Sequence, residues 1–300
     1  MQTQATNSHA MPARGRLALL LELGKVRISS LATISMITGY ILARGALTPE
    51  LLVMTLGVFF IACGSATINH IQERDIDGRM QRTMGRPLPA GRITVTAAWG
   101  IALGTLTTGS GLILLASSLE VVFLGVLAVI WYNAVYTPLK RVTAFAAVPG
   151  GVVGAIPPIM GWVAGGGYAL DPQILAVSFF FFIWQVPHFW LLLLFSCGKD
   201  YERAGLPSLT ALFSLEQIAR ITFVWIFAAV VTSFVIPLYG IVTNPWINAG
   251  LVAAGAWLVW RSRGILRAPF QMQGFRLAFK HINLFVFCVI VLLSLDGMFG

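Results

Sequence analysis

Charged residues are scarce in this chain of 300 residues: they make up 10% of it, whereas hydrophobic residues make up 57%. A soluble globular domain carries roughly a quarter charged residues, and a mean hydropathy of +0.83 lies far above that class. The shortage of charge therefore excludes a soluble domain. It predicts a polytopic membrane protein.

Cysteine and acidic residues are also scarce. The three cysteines, Cys63, Cys197 and Cys288, are widely spaced and form no CxxC motif, which argues against a disulfide framework and a thiolate metal site. We interpret them as small buried hydrophobic residues. With 11 acidic residues against 20 Lys and Arg, the net charge is +9, but the basic residues lie in short loops between apolar runs. This distribution excludes the basic stripe that nucleic-acid binding requires.

The amino terminus lacks the features of a secretory signal. The first sixteen residues are polar, and no short apolar core with a small-residue cleavage site follows them. Because Arg14 and Arg16 precede the first acid, Glu22, a short organellar transit peptide stays an alternative. We interpret residues 1–24 as a polar cytoplasmic tail and residues 25–300 as a single membrane domain.

Apolar runs long enough to cross about 30 Å of hydrocarbon occur throughout the rest of the chain. The nine predicted spans are residues 28–46, 51–70, 94–117, 119–138, 144–164, 173–196, 218–242, 246–260 and 282–299. Pro149, Pro157 and Pro158 are expected to kink or break the fifth span.

The basic residues predict the orientation of these spans. If the chain starts in the cytoplasm, 19 of the 20 Lys and Arg residues lie on the cytoplasmic side and only Arg44 lies outside. Such an asymmetry is typical of the positive-inside pattern. We expect a multi-pass plasma membrane protein of a bacterium, with its amino terminus and functional face in the cytoplasm; an organellar inner membrane is the alternative.

The polar stretch 69–92 follows the second span and holds three acids and five arginines. Asn69, Glu73 and Asp77 are spaced at i, i+4 and i+8, so a helix that continues out of the span places them on one face, whereas Asp75 points elsewhere. Hard oxygen ligands of this kind suit Mg²⁺, which keeps waters and shares a phosphate. The spacing therefore predicts a site for a metal-bound diphosphate at the end of a membrane helix.

Another interpretation of the same stretch is a solvated loop whose mixed charges hold the protein at the level of the lipid headgroups. The four-residue spacing favours the metal site, since polar groups at membrane depth are costly and mark function. The arginines that accompany the acids, Arg74 and Arg86 among them, are predicted to contact a diphosphate.

The fourth span closes with the motif YTPLKR. Lys140 and Arg141 are either interfacial anchors or ligands of a diphosphate, Lys as a point charge and Arg through its bidentate fork. The motif by itself favours anchoring. Lys25 and Arg27, before the first span, allow the same two interpretations, and anchoring is again favoured.

The sixth span contains the motif WQVPHFW. Gln185 and His188 are spaced at i, i+3 and are predicted to share a face; an ionisable group inside the membrane is a candidate site, although a core histidine is the alternative. His70 directly follows Asn69, and His281 is interpreted as an interfacial anchor. No two histidines have metal-ligand spacing, so no iron ligand is assigned.

The motifs resemble those of a known family. NHIQERDID followed by RTMGRPLPAGRIT resembles the first acidic motif of the UbiA-type intramembrane prenyltransferases, and YTPLKR, WQVPHFW and KDYERAGLPSL resemble the branch that farnesylates haem. The likeness runs from about Lys25 to the last span. It implies an all-α membrane bundle of about nine helices, Mg²⁺ as cofactor, and transfer of farnesyl from farnesyl diphosphate to a vinyl group of protohaem IX (haem b), which gives haem O.

The resemblance also implies roles for individual residues and partners. Asn69, Glu73, Asp77 and Asp200 match the catalytic and metal-binding positions of the two acidic motifs. Two departures occur: Glu73 stands where many members have Asp, and Ala204 stands where the second motif carries a further acid. The implied partners are membrane lipid and either haem A synthase or a terminal oxidase. The resemblance implies Lys140 and Arg141 as diphosphate ligands. Arg74, Arg86 and Lys199 are further predicted diphosphate ligands, and the predicted haem-facing residues are His188, Gln185 and His70.

Two alternative functions stay open. A sister prenyltransferase would act on a quinone precursor or another aromatic or lipid acceptor. A secondary transporter would carry ionisable residues deep within several spans, whereas the carboxylates here cluster at the predicted cytoplasmic edge.

Overall fold

The computed structural model describes residues 13–196, 198–267 and 271–300, and within these ranges the chain is helical, with no strand. The helices are α1 (Ala13–Leu23), α2 (Val26–Arg44), α3 (Pro49–Asp77), α4 (Val95–Ala116), α5 (Leu119–Ile130), a π-helix (Trp131–Tyr136), α6 (Thr137–Leu139), α7 (Ala147–Gly150), α8 (Val152–Ala164), α9 (Pro172–Ser196), α10 (Gly198–Arg203), α11 (Leu209–Leu212), α12 (Leu215–Val235), a 3₁₀ helix (Ile236–Tyr239), α13 (Pro245–Ser262), α14 (Gly264–Arg267) and α15 (Met272–Phe299).

Eight helical segments in the described part of the chain are long and apolar enough to cross a membrane. This confirms the predicted all-helical, multi-pass architecture. The predicted span 246–260 forms helix α13, which is 18 residues long but is not among the eight. Its polar residues, Asn248 and Arg261, and its three tryptophans lower its hydropathy.

Helix α3 positions the polar stretch identified in the sequence. It begins with Pro49 in its first turn, where the missing N–H needs no partner, and Glu50 complements the helix dipole there. Its 29 residues extend for about 44 Å, which exceeds the hydrocarbon thickness. The last turns of α3 therefore carry residues 69–77 toward the membrane surface, as the helical interpretation of the stretch predicted.

Close backbone contacts hold α2 against α8. A Cβ at Gly39 would lie 2.0 Å from the carbonyl oxygen of Pro158, and one at Gly161 would lie 1.9 Å from that of Met36. Small residues at such positions let the backbones of two membrane helices come into contact. Such packing holds the helices together in a membrane, because lipid is as apolar as the side chains and supplies no hydrophobic driving force. Pro157 and Pro158, which were expected to kink or break the fifth span, lie inside α8, which continues from Val152 to Ala164; Gly151, in helical conformation, separates α7 from α8.

Two apolar clusters fill the bundle. One joins α2, α3, α4, α5 and α8 and includes Met36, Met54 and Met160; the other joins α9, α12, α13 and α15 and includes Phe180 and Phe285.

Part of the predicted polar tail is helical. Residues 13–23 form α1, and Leu19 and Leu23 of this helix are buried. The apolar run LALLLEL at residues 17–23 explains the difference from the prediction, because those leucines bury against α3 and its neighbours. The transit-peptide alternative was based on Arg14 and Arg16, which lie in α1, and residues 1–12 lie outside the described part of the chain.

Candidate active site

The last turns of α3 bring the predicted acidic face together in a buried position. Asn69 and Asp77 are 0% exposed, and the side chain of Glu73 is 13% exposed. Asp75, on the same helix, has a side chain that is 49% exposed. The predicted division between one buried face and an outward Asp75 is confirmed.

Each of the two buried carboxylates pairs with a cation from a distant segment. Lys140 Nζ contacts Glu73 Oε1. Nη1 of Arg86 donates to both carboxylate oxygens of Asp77, at 2.8 and 2.7 Å. The turn after α3 makes the second pair possible, since Thr83 Oγ1 donates to the carbonyl oxygen of Asp77 at 3.0 Å and folds the loop back over the helix end.

A third cation, Lys25, reaches the same face from the start of α2. Its Nζ donates to Asn69 Oδ1, while Asn69 Nδ2 donates to Thr137 Oγ1 at 2.9 Å. Lys25 has φ 45° and is the non-glycine residue with positive φ in the described part of the chain, a conformation that is strained and tends to mark functional sites. The sequence alone favoured an interfacial anchor for Lys25. Its contact with Asn69 could not be predicted, because the two residues are 44 positions apart in the sequence.

The two lysines differ in their electrostatic surroundings. Burial lowers the pKa of Lys25 to about 7, and the Glu73 carboxylate opposes that shift. Burial also acts to lower the pKa of Lys140, but the adjoining Glu73 outweighs it and raises this pKa above its ordinary value. Lys140 is therefore a permanent cation, whereas Lys25 can lose its charge near neutral pH.

Arg141 does not join this cluster, although it follows Lys140 in sequence. Its guanidinium donates to the two carboxylate oxygens of Asp75 at 2.8 and 3.1 Å and to the carbonyl oxygen of Gln72 at 2.7 Å. Arg74 is exposed and donates to the carbonyl oxygen of Ile71 at 2.8 Å. Of the predicted diphosphate ligands, the structure thus brings Lys140 and Arg86 to the buried face and leaves Arg74 and Arg141 on the outer side of α3.

The second acidic position lies on the neighbouring loop. Asp200 Oδ2 accepts from the backbone N–H of Arg82 at 3.3 Å, and Arg203 Nη1 lies 3.9 Å from Asp200 Oδ1. Asp200 therefore contacts the loop that follows α3 and makes no direct contact with the acidic face. Apolar packing of Ala204 with Ile76 holds the two loops together. The side chain of Lys199 lies outside the described residues.

The donors on α3 fit Mg²⁺ by their chemistry. Glu73, Asp77 and Asn69 present hard oxygens on one helix face, and Mg²⁺ takes one or two carboxylates together with substrate phosphate oxygens. Within the described ranges, no three His, Cys, Asp or Glu side chains form a complete protein cage for a metal. A metal held here would depend on the phosphates of a bound substrate for its remaining ligands.

The candidate haem residues occupy two separate places. His70 is 1% exposed beside Asn69, and the backbone of Glu22 lies near its ring. On α9, Gln185 packs against Gly154 of α8, whereas His188 bonds to Asn283 of α15. Gln185 and His188, which were predicted to share a face, contact different neighbouring helices, because positions i and i+3 differ by about 60° around the helix axis.

The bond to Asn283 determines which nitrogen of His188 carries a proton. Asn283 Nδ2 donates to the carbonyl oxygen of Phe279 at 2.6 Å, so Oδ1 is the atom that faces the imidazole, at 2.8 Å from Nδ1. Because Oδ1 accepts, His188 Nδ1 donates, and the lone pair of the neutral ring lies on Nε2. The rings of Trp184 and Phe279 flank this imidazole at centroid distances of 4.9 and 5.0 Å.

An aromatic wall that sequence reasoning missed adjoins the cations. The π-helix Trp131–Tyr136 adds backbone to the end of the fourth span and directs Tyr132 and Tyr136 toward Lys140, whose Nζ lies 4.8 Å from the Tyr136 ring centroid. Tyr136 contacts Tyr132 at 5.7 Å and Phe189 at 5.8 Å. A π-helix has no sequence signature, which is why the wall was not predicted.

Comparisons with known sequences identify the family. The model of the UbiA prenyltransferase family matches residues 32–284. A protoheme IX farnesyltransferase of Oleidesulfovibrio alaskensis is 31% identical over 277 residues, covering 91% of this chain and 94% of that protein. A protoheme IX farnesyltransferase of Geobacter sulfurreducens is 38% identical over 233 residues, covering 76% of this chain and 85% of that protein.

Solved structures share the fold at low sequence identity. A digeranylgeranylglyceryl phosphate synthase gives a TM-score of 0.76 at 17% identity, covering 95% of this chain and 99% of that chain. A UbiA homologue from Archaeoglobus fulgidus bound to GPP and Mg²⁺ gives a TM-score of 0.63 at 17% identity, covering 91% of this chain and 99% of that chain. These structures support the architecture, and the family match extends over most of the chain. The chain therefore belongs to the UbiA prenyltransferase family, which makes it an enzyme of prenyl transfer.

Proposed function

We propose that this enzyme transfers the farnesyl group of farnesyl diphosphate to a vinyl group of haem b and so makes haem O, with Mg²⁺ as its metal. The observation that carries the proposal is the buried cluster at the end of α3, in which three cations and two carboxylates adjoin an aromatic wall. The names of the relatives described above support farnesyl as the donor group and haem as the acceptor.

The cluster is suited to accept a diphosphate by exchange of partners. Lys140 pairs with Glu73, and Arg86 pairs with Asp77. An oxygen of a diphosphate can take the place of each carboxylate in these pairs, because it accepts hydrogen bonds equally well. The released carboxylates, with Asn69, would then hold Mg²⁺. When bound, Mg²⁺ supplies positive charge that stabilises the leaving diphosphate. Lys140 pairs with the diphosphate of the bound substrate, and Lys25 and Arg86 add fixed donors for the negative charge that develops as the carbon–oxygen bond breaks.

The aromatic wall suits the other product of that bond cleavage, the allylic cation. Lys140 already lies over the face of Tyr136, which shows that the ring presents its negative face to a cation. A cationic farnesyl carbon next to the diphosphate would meet the same wall of Tyr132, Tyr136 and Phe189. The wall also excludes water, which would otherwise capture the cation before the acceptor does.

For the acceptor, we propose that His188, Gln185 and His70 face the haem. His188 is the strongest of the three, because its bond to Asn283 fixes the ring and leaves the Nε2 lone pair available to an iron. His70 lies next to Asn69 and contributes a buried imidazole.

We also propose a bacterial plasma membrane location with the cluster on the cytoplasmic side. The distribution of basic residues supports that orientation, and farnesyl diphosphate is too strongly charged to cross a bilayer to an outer site. Haem A synthase or a terminal oxidase would receive the product.

The test is a product analysis with the purified chain in detergent. Haem b, farnesyl diphosphate and Mg²⁺ should give a haem whose mass has increased by one farnesyl group plus one water, without any ion gradient. Prenylation of a quinone precursor in place of haem would identify a sister enzyme. A Glu73→Gln variant provides the inactive control, and turnover that requires a gradient would overturn the assignment.

A further inference from the structure

The surface between α12 and α13 carries an apolar groove that is separate from the cluster at the end of α3. Its volume is about 410 Å³. Two elements form its walls, and a single charged residue lies at one end. The lining residues used below are Phe227, Phe234, Val252, Ala256, Trp260 and Arg263.

The groove is about one lipid leaflet deep. From Val252 to Arg263 the chain advances about 16 Å along α13, which is about half of a 30 Å hydrocarbon core. Val252 is 56% and Trp260 is 60% exposed, so the groove is open along its length. At its floor, a Cβ on Gly255 would come within 2.7 Å of Phe234, so the glycine lets the helices approach there.

The charged end of the groove has no acidic partner. Arg261 lies with its guanidinium carbon 5.8 Å from the Trp260 ring centroid, and Arg263 lines the groove itself. Neither forms a salt bridge within the described residues, in contrast to Arg86 and Arg141. The sequence explains this, because residues 217–295 contain six basic residues and no acid. The basic residues of this segment are Arg220, Arg261, Arg263, Arg267, Arg276 and Lys280.

We propose that this groove binds one anionic phospholipid, with an acyl chain between Phe227, Phe234 and Ala256 and the phosphate on Arg263 and Arg261. An acyl chain gains little hydrophobic free energy on moving from lipid to a membrane helix, so the groove orders the chain by its shape. The headgroup supplies the selectivity, because each arginine near the surface contributes about fivefold in affinity for a negative lipid. Positive-inside topology requires basic residues on this side, but it does not require one of them to line a groove.

The experiment measures lipid binding to the purified full-length chain in detergent. Phosphatidylglycerol and phosphatidylcholine with the same acyl chains are added, and binding is followed by native mass spectrometry and by the rise in thermal midpoint, which reports affinity by linkage. We expect phosphatidylglycerol to bind at least about fivefold more tightly, and Arg263→Gln to remove most of that preference. Ala256→Trp, which fills the groove, should weaken the binding of both lipids. Glycerol phosphate, which has the charge but no chains, should not compete.

Arg276→Gln is the matched control, since Arg276 is exposed on α15, belongs to the same acid-free segment and does not line the groove. It should leave the preference for phosphatidylglycerol within about twofold of the wild type. An equal loss in Arg276→Gln and Arg263→Gln would show diffuse surface attraction and would overturn the proposal. So would competition by farnesyl diphosphate, or a doubled protein mass on delipidation that Ala256→Trp abolishes. Prenyl transfer by these variants should continue, so failure here is distinguishable from failure of the proposed function.

Discussion

Replacing Glu73 by Gln tests the metal–diphosphate site most directly. The substitution keeps the size of the side chain and most of its hydrogen bonding, and it removes the charge that would hold Mg²⁺. If the carboxylate positions the metal for departure of the diphosphate, kcat should fall by about two to three orders of magnitude, which corresponds to roughly 3–4 kcal/mol of electrostatic stabilisation. Asp77→Asn should behave similarly, and added Mg²⁺ should restore part of its rate. The assay is steady-state farnesylation of haem in detergent at saturating substrate.

Glu73→Gln also breaks the ion pair between Glu73 and Lys140, so its effect on stability has to be separated from its effect on catalysis. Glu73→Gln leaves a mostly buried ammonium group without its partner, and breaking such a pair destabilises a protein by about 3–5 kcal/mol. The double variant Glu73→Gln with Lys140→Gln removes both charges. It should recover most of the thermal midpoint and stay slow, because neither amide can hold the metal or the diphosphate.

Asp75→Asn supplies the matched control on the same helix. Its side chain is about half exposed and pairs with an exposed Arg141, so the loss of this ion pair should change stability by less than about 1 kcal/mol and turnover by a few-fold at most. Wild-type rates in both Glu73→Gln and Asp77→Asn would refute the metal–diphosphate site. Recovery of the rate in the double variant would assign Glu73 a purely structural role.

Three further outcomes are expected. Lys140→Gln should raise KM for farnesyl diphosphate more than it lowers kcat, whereas Arg141→Gln should leave KM nearly unchanged because Arg141 binds Asp75; equal effects on KM would contradict the separation of these neighbours. His188→Ala should weaken haem binding, measured by absorbance titration, and preserve the affinity for farnesyl diphosphate; full haem affinity would make it a core residue. Above pH 7 the Lys25 amine is mostly neutral, since its pKa lies below the ordinary 10.5, and an anionic diphosphate raises that pKa again. Calorimetry at pH 8 in two buffers should therefore show proton uptake on binding of farnesyl thiodiphosphate that Lys25→Gln lacks, and equal uptake in both proteins would exclude Lys25 as the source.

Local periodicity was sufficient to predict the acidic face. Asn69, Glu73 and Asp77 lie on one uninterrupted helix, so a rule of 3.6 residues per turn places them without any knowledge of the rest of the chain. The same rule predicted that Asp75 points outward, as its exposed side chain does. The spans could be predicted for a related reason, because each depends on the composition of about twenty consecutive residues.

Contacts between distant segments could not be predicted in this way. Lys140 and Arg141 are adjacent, yet they contact Glu73 and Asp75 on different sides of α3. Successive residues on a helix point about 100° apart, so the side chains of Lys140 and Arg141 leave the backbone in different directions. The π-helix that precedes them changes both directions again. Lys25 was interpreted as an anchor for the same reason, since its contact with Asn69 exists only once α2 and α3 have packed.

The composition of the cluster bears on how many metal ions it can hold. The cations Lys25, Arg86 and Lys140 outnumber the carboxylates Glu73 and Asp77 by one, so the buried group carries a single net positive charge when Lys25 is protonated. A prenyl diphosphate brings about three negative charges and one Mg²⁺ brings two positive charges, which together neutralise the site. A second ion would leave excess positive charge in a region of low dielectric unless another acid approached. Asp200 is the acid placed to do so, and in this structure it accepts from the backbone of Arg82 on the neighbouring loop. We therefore expect one Mg²⁺ to suffice for binding the diphosphate, and a second to depend on a movement of the loop that carries Asp200.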